Sequence, residues 1–219
     1  MVEPSFLSDV ELLVDLSPAE MERVADAAEV RRLMRNDLVF GEGDEPTTLF
    51  VVTSGRIAIA NKSIDRRESV VALMEPGDLF GEMGMFDGLG RSAEARALET
   101  SEVVAIPYAP LRAIYEGRPG LLWGVARLLA GRLRSTDVAL ADSVFLDVTG
   151  RTAKRLLELA CDEDDFALPI TQEELAGMVG ASRERFNKAI ASFIRLRWIE
   201  QIERRYRITN RTELAHRAR

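Results

Sequence analysis

Cysteine and histidine are almost absent from this 219-residue chain, which has one of each, Cys161 and His216. A single cysteine forbids any intrachain disulfide and any four-thiolate iron–sulfur cluster. One His and one Cys cannot assemble an ordinary zinc site, and one His without a partnered nucleophile gives no Ser-His-Asp triad. Most common enzyme chemistries lose their parts here, so a protein that binds rather than catalyses is expected, with no metal. Long apolar runs are missing too. None reaches the roughly 18 residues of a membrane span. The opening "MVEPSFLSDVELLV" carries acids where a signal peptide would carry positive charge, so a cytoplasmic protein without a membrane partner is expected. Lysine is scarce, 3 against 26 Arg.

What is present suits a globular chain. The composition is 47% hydrophobic and 30% charged, enough apolar material for a core in one large or two small domains. The net charge is −7, but it is unevenly spread. Residues 1–146 hold 15 basic and 24 acidic side chains, a net of −9, and residues 147–219 hold 14 and 12, a net of +2. From Ser182 to Arg219 the count is 11 basic against 4 acidic, net +7. An acidic body with a basic contact surface follows.

The pattern changes along the chain. "LSPAEMERVADAAEV" opens a helix, with Ser17 as N-cap, Pro18 in the first turn and Glu20 completing a capping box. From Leu38, short β-branched runs such as "TLFVV", "RIAIA", "ESVVALM" and "SEVVAIP" alternate with turn signals "GEGDEP", "SG" and "PGD". Short strands at this spacing predict a sandwich or barrel, a small β-roll over residues 32–107. Leu121 to Phe145 runs without proline, and Val125, Leu129, Leu133, Thr136, Leu140 and Val144 fall on one helical stripe. This long helix packs either on its own β-roll or along a second copy. The polar Thr136 in an apolar stripe favours the second, since it costs stability unless it serves register or a ligand. Asp147 and Gly150 interrupt the pattern and place a domain boundary at 146–147, after which "DEDD" reads as a solvated loop. Thr171 caps a helix with Glu174 three residues later, with Leu175, Ala176 and Val179 as its inner face. Gly180 ends it and Ser182 caps the next. This is a helix-turn-helix. "WIEQI" and "YRIT" around "ERR" predict a two-stranded wing.

Two stretches carry candidate chemistry. On the second helix Arg183, Glu184, Arg185 and Lys188 lie on an exposed face, while Phe186, Ile190 and Phe193 turn inward. Arg presents parallel donors to guanine and Glu accepts from cytosine in a major groove, as the start of a recognition helix requires. The expected DNA-facing set is Thr171, Ser182, Arg183, Glu184, Arg185 and Lys188. The other stretch is "FGEMGMFDGLGRSAEA", residues 80–95. Arg91 can clamp a phosphate bidentately, Ser92 can donate its hydroxyl, and the glycine-rich backbone can form an anion nest. Glu82 would repel a phosphate close by, and suits a sugar hydroxyl some distance off. A ribose-phosphate pocket is one reading; a plain Glu82–Arg91 ion pair is the other.

These motifs together resemble the Crp/Fnr family of bacterial transcription regulators. "FGEMGM" followed by "RSAEARA" is similar to the family's cyclic-nucleotide phosphate-binding cassette, and "LVFGEGDEPTTLFVVTSG" to its earlier β-roll signature. "FLDVTGR" resembles the hinge into the DNA domain and "TQEELAGMVGASRE" the helix-turn-helix. The resemblance spans about residues 33–208. It implies an α+β fold: residues 1–120 a cyclic-nucleotide-binding, jelly-roll-like β-roll domain with flanking helices, residues 121–146 a long dimerisation helix, and residues 147–219 a winged helix-turn-helix domain. It implies a homodimer that binds double-stranded DNA at a palindrome, cyclic AMP (cAMP) as effector, and contact with RNA polymerase. The implied ligand set is Gly81, Glu82, Met83, Arg91, Ser92, Thr136 and Asp137. In it Glu82 takes the ribose 2′-hydroxyl, Arg91 and Ser92 the cyclic phosphate, and Thr136 the adenine amino group. Asp137 stands where the cAMP receptors often carry Ser or Asn. It leaves open a regulator that answers to another effector or binds DNA without one. Lys188 replaces an Arg common in the family, so a TGTGA-like half-site is a family expectation only.

Overall fold

The computed structural model describes residues 4–62, 68–167, 171–203 and 205–219, so Arg204 of the expected wing turn lies outside the described residues. The chain forms two compact units, Met1–Asn61 with Val71–Leu133, and Lys62–Val70 with Arg134–Arg219. In chain order the elements are α1 (Pro4–Leu7), α2 (Pro18–Ala27), β1 (Glu29–Leu33), β2 (Leu38–Phe40), β3 (Thr48–Ser54), β4 (Ile57–Lys62), β5 (Glu68–Met74), β6 (Leu79–Phe80), α3 (Met83–Asp87), β7 (Glu94–Ala97), β8 (Ser101–Pro107) and α4 (Tyr108–Gly117). A 3-10 turn at Pro119–Leu121 leads into α5 (Leu122–Phe145). There follow α6 (Val148–Ala160), β9 (Asp165–Ala167), α7 (Gln172–Met178), α8 (Arg183–Arg195), β10 (Ile199–Ile202), β11 (Arg205–Ile208) and α9 (Arg211–Arg217).

The β-roll is built from two four-stranded sheets, ordered β1-β8-β3-β6 and β2-β7-β4-β5. Its central strands are buried on both faces, which is why "TLFVV" and "VVAI" read as unbroken apolar runs rather than alternating ones. Phe50 and Val52 of β3 and Val103 and Ala105 of β8 turn into the space between the sheets. There they meet Val39, Ile57, Phe80, Ala95 and Ala97. Leu49, Val51, Val104 and Ile106 turn the other way, under α2, α4 and the first turns of α5. The β3–β4 turn needs Gly55, whose φ is +76° and where a Cβ would sit 2.3 Å from the Ser101 hydroxyl. Ser17 donates through its N–H and its hydroxyl to Glu20 at 2.8 and 2.7 Å, the cap expected of α2. The sheet begins at Glu29, ahead of the residue 32 expected, because Glu29–Leu33 pair antiparallel with β8.

Along α5 the first turns are buried, with Val125 5% and Leu128 8% exposed. Beyond them the stripe is open: Leu129, Leu133, Leu140 and Val144 are 40%, 62%, 62% and 67% exposed. The helix ends at Phe145, and Asp147 caps α6 by accepting from the Gly150 N–H at 2.8 Å, where the hinge was expected.

In the second unit α7 and α8 form the helix-turn-helix, with Gly180 at φ +62° in the turn. The sheet beside them has three strands, β10-β11-β9, not the two expected of the wing. The last acid of "DEDD" opens β9 rather than sitting in a loop. Asp165 lies opposite Arg207, accepts from Arg205 and Arg207, and is followed by Phe166 stacked on Tyr206. Its carboxyl is held below the usual range by those arginines. A three-residue strand beginning with an acid offers no periodicity to read. α9 closes the unit with Leu214 fully buried and Asn210 as its N-cap.

Candidate functional site

The cassette is assembled where β6 hands over to α3. Gly81 has φ +77°, a backbone conformation that favours glycine, and a Cβ there would lie 2.8 Å from Arg91 Nη1. The turn therefore makes room for a guanidinium. The next residue, Glu82, is completely buried. Its Oε1 accepts from Arg132 Nη1 of α5, and Arg132 Nη2 donates to the Leu79 carbonyl at 2.7 Å. Its Oε2 is buried with no hydrogen-bond partner. Burial pushes the Glu82 carboxyl above its ordinary range, against the opposing pull of Arg132 and then Arg91. An unsatisfied buried polar atom costs on the order of 1–3 kcal/mol, so native proteins seldom keep one without a use.

Arg91 is 8% exposed. Its Nη1 donates to the Gly81 carbonyl at 2.5 Å and to the Tyr108 hydroxyl at 3.1 Å, and its Nη2 to the Thr48 carbonyl at 2.5 Å. The guanidinium lies 4.1 Å from the centroid of the Phe40 ring, within reach of a cation–π contact. Phe40 in turn packs against Phe50 and Phe80. The Arg91 Nε is buried with no acceptor. The plain Glu82–Arg91 ion pair is therefore not what the chain forms: Glu82 pairs with Arg132, and Arg91 with carbonyls and a phenol. Each keeps one orphaned polar atom, an acceptor on Glu82 and a donor on Arg91.

The rim holds Met83, 45% exposed, and the exposed Ser92, whose hydroxyl makes only a long 3.8 Å contact with the Met83 sulfur. The expected glycine nest is a short helix, α3, ended by Gly88 at φ +70°. Thr136 and Asp137 are exposed on α5, four and five residues after Arg132. Arg132, Tyr108 and Phe40 were not in the set the sequence suggested. The spacing of Arg132 from Thr136 puts both on one helical face, a signal that could have found it.

On the second unit, Thr171 and Glu174 form a reciprocal cap at 3.2 and 2.6 Å, and Ser182 accepts from the Arg185 N–H at 3.4 Å. These caps fix where α8 begins. Phe186, Ala189, Ile190 and Phe193 are buried beneath it. Arg183, Glu184, Arg185 and Lys188 are all exposed on the outer face. Lys188 and Glu184 pair at 2.8 Å, one helical turn apart, which holds the Glu184 carboxyl below its usual range. Both side chains are more than two-thirds exposed, so this pair contributes little to stability and its groups are available to a partner.

Residues 30–118 match the cyclic nucleotide-binding domain, and residues 150–217 match the Crp-like helix-turn-helix domain. The chain is 38% identical over 192 residues to the CRP-like cAMP-activated global transcriptional regulator of Mycobacterium tuberculosis, covering 84% of this chain and 86% of that one. It is 35% identical over 172 residues to the cAMP-activated global transcriptional regulator Vfr of Pseudomonas aeruginosa, covering 74% and 80%. Among solved structures it is similar to the c-di-GMP responsive global regulator CLP of Xanthomonas campestris, with TM-score 0.75 and 26% identity over 88% of this chain and 99% of that one. With both domains present in order and a relative 38% identical over most of both chains, the chain belongs to the Crp/Fnr family of bacterial transcription regulators.

Proposed function

We propose that the chain is a homodimeric regulator whose affinity for palindromic promoter DNA is set by cAMP. One observation carries the reading: Glu82 Oε2 and Arg91 Nε, on either side of α3, are both buried and unpartnered. In this account Glu82 accepts from the ribose 2′-hydroxyl. Arg91 and Ser92 hold the cyclic phosphate, and Gly81 and Met83 line the approach. Thr136 and Asp137 meet the adenine amino group. The open stripe of Leu129, Leu133, Leu140 and Val144 is the seam with a second copy, in keeping with its exposure in one chain. Arg183, Glu184, Arg185 and Lys188 read base edges, with Thr171 and Ser182 at the backbone. The two recognition helices of a dimer then enter grooves roughly 34 Å apart. The protein acts by binding in the cytoplasm, without catalysis, and regulates by contact with RNA polymerase.

A ligand can switch such a protein only if it binds one arrangement better than the other. Asp137 supports a second reading, in which another cyclic nucleotide is the effector. The Xanthomonas neighbour is named for a response to c-di-GMP. Titration calorimetry with cAMP, cGMP and c-di-GMP separates them. Saturable heat with cAMP, lost in Arg91→Gln, supports the first reading. Heat with another nucleotide alone supports the second, and no heat with any sinks both.

A further inference from the structure

Tyr108 opens α4 directly after β8, and its ring is 4% exposed. Its hydroxyl accepts from Arg91 Nη1 and donates to the Gly81 carbonyl, which also accepts from Arg91 Nη1. Burial pushes the phenol above its ordinary range, so it keeps the proton it donates. Thr48 takes Nη2 and the Phe40 ring lies against the guanidinium.

A guanidinium has five N–H donors in a planar fork. Here the two on Nη1 have two acceptors, at least one of the two on Nη2 is used, and the one on Nε has none. The Nε–H and one Nη2–H point the same way along one edge, the two-donor edge that grips an oxyanion. The seat made by Tyr108, Gly81 and Thr48 thus takes Nη1 and Nη2, and the one wholly unused donor is the buried Nε–H on the Nε–Nη2 edge.

We propose that Tyr108 is the positioning residue of the phosphate site. By holding Nη1 against the Gly81 carbonyl, it aims the Nε–Nη2 edge of Arg91 at two oxygens of the cyclic phosphate. Phe40 keeps the guanidinium plane from rotating. Tyr108 acts through Arg91 and does not touch the nucleotide. This rests on the cAMP reading above.

The test uses the full-length chain, calorimetry, and three nucleotides: cAMP and its Sp and Rp phosphorothioates, which differ only in which phosphate oxygen is sulfur. Tyr108→Phe keeps the ring and removes the hydroxyl. It should weaken cAMP about tenfold or more, the size of one hydrogen bond to a charged group. It should also compress the Sp-to-Rp affinity ratio toward one, because an unaimed guanidinium no longer distinguishes the two oxygens. In an Arg91→Lys background the same change should add nothing. With no nucleotide added, the Arg91 Nε–H resonance in proton–nitrogen NMR should broaden or shift in Tyr108→Phe. Phe40→Leu leaves every hydrogen bond in place and should give a smaller loss of the same kind; it decides the matter should Tyr108→Phe not fold. Unchanged affinity and ratio in Tyr108→Phe, or a loss that adds fully to that of Arg91→Lys, overturns the proposal and leaves the effector reading standing. A wild-type chain that binds no cAMP overturns both.

Discussion

Glu82 and Arg132, fifty positions apart, form the ion pair of the cassette, while Arg91 is held by carbonyl groups and a tyrosine hydroxyl. The two charges that frame "FGEMGMFDGLGRSAEA" are thus kept apart. Each is held by other partners, and each retains one unsatisfied atom.

Glu82 gives a pH signature. Its pKa is raised on folding, mainly by burial, from an ordinary 4.5. The folded chain therefore binds this proton more readily than the unfolded chain. Stability is favoured below the ordinary value and declines as pH rises through it toward the raised one. Glu82→Gln does not titrate, so the difference in unfolding free energy, wild type minus variant, should fall with pH across that window in urea denaturation. A difference that is flat or rises contradicts the burial of an ionising Glu82.

Gly81→Ala should separate the cassette from the rest of the roll. The new Cβ meets the Arg91 guanidinium at 2.8 Å, in a backbone conformation that already disfavours it. Stability should drop by about 1–2 kcal/mol, and cAMP affinity about tenfold or more, since Arg91 must move and misplaced contacts of this kind cost that much. Thermal unfolding and calorimetry on one sample check both. A loss of stability without loss of affinity would mean that Arg91 does not hold the ligand.

Between α5 and α6, Asp147 both caps α6 and pairs with Arg217 of α9. The cap should matter more, because the Asp147 side chain is 64% exposed and water screens its pair. Asp147→Ala should cost about 1–2 kcal/mol and Arg217→Ala under about 1 kcal/mol, by urea denaturation. The Asp147 carboxyl is lowered from 3.8, first by the Gly150 N–H and then by Arg217. Its contribution is therefore present above that value and lost as pH falls through the lowered one. Equal losses for the two variants would mean that the ion pair dominates.

Arg183 is exposed at the start of α8, so Arg183→Ala should leave stability within about 0.5 kcal/mol. It should weaken binding to the matched palindrome by about 1–3 kcal/mol and relax preference at one base pair. Fluorescence anisotropy with single-base variants of the site, at fixed salt, measures both. A loss that is uniform across sequences would make Arg183 a phosphate contact.

Much of this was legible in the sequence because local rules and burial agree. The caps at Ser17, Thr171 and Ser182, the inner faces of α7 and α8, and the strands buried on both sides each follow from residue type and spacing. Glu82 and Arg91 stood out because glycines surround them. Arg132 did not, being one of 26 arginines, and its partner is distant in sequence. Tyr108 was hidden at a strand–helix junction, where an aromatic reads as ordinary core. β9 and the Asp165 bridge to Arg205 and Arg207 are made wholly by tertiary pairing, which no three-residue stretch encodes.

The most direct test measures the affinity of the full-length chain for a palindromic duplex, with and without saturating cAMP, at stated salt. The account predicts at least about fivefold tighter binding with cAMP, and no such gain in Arg91→Gln. Equal affinity in both conditions would contradict it.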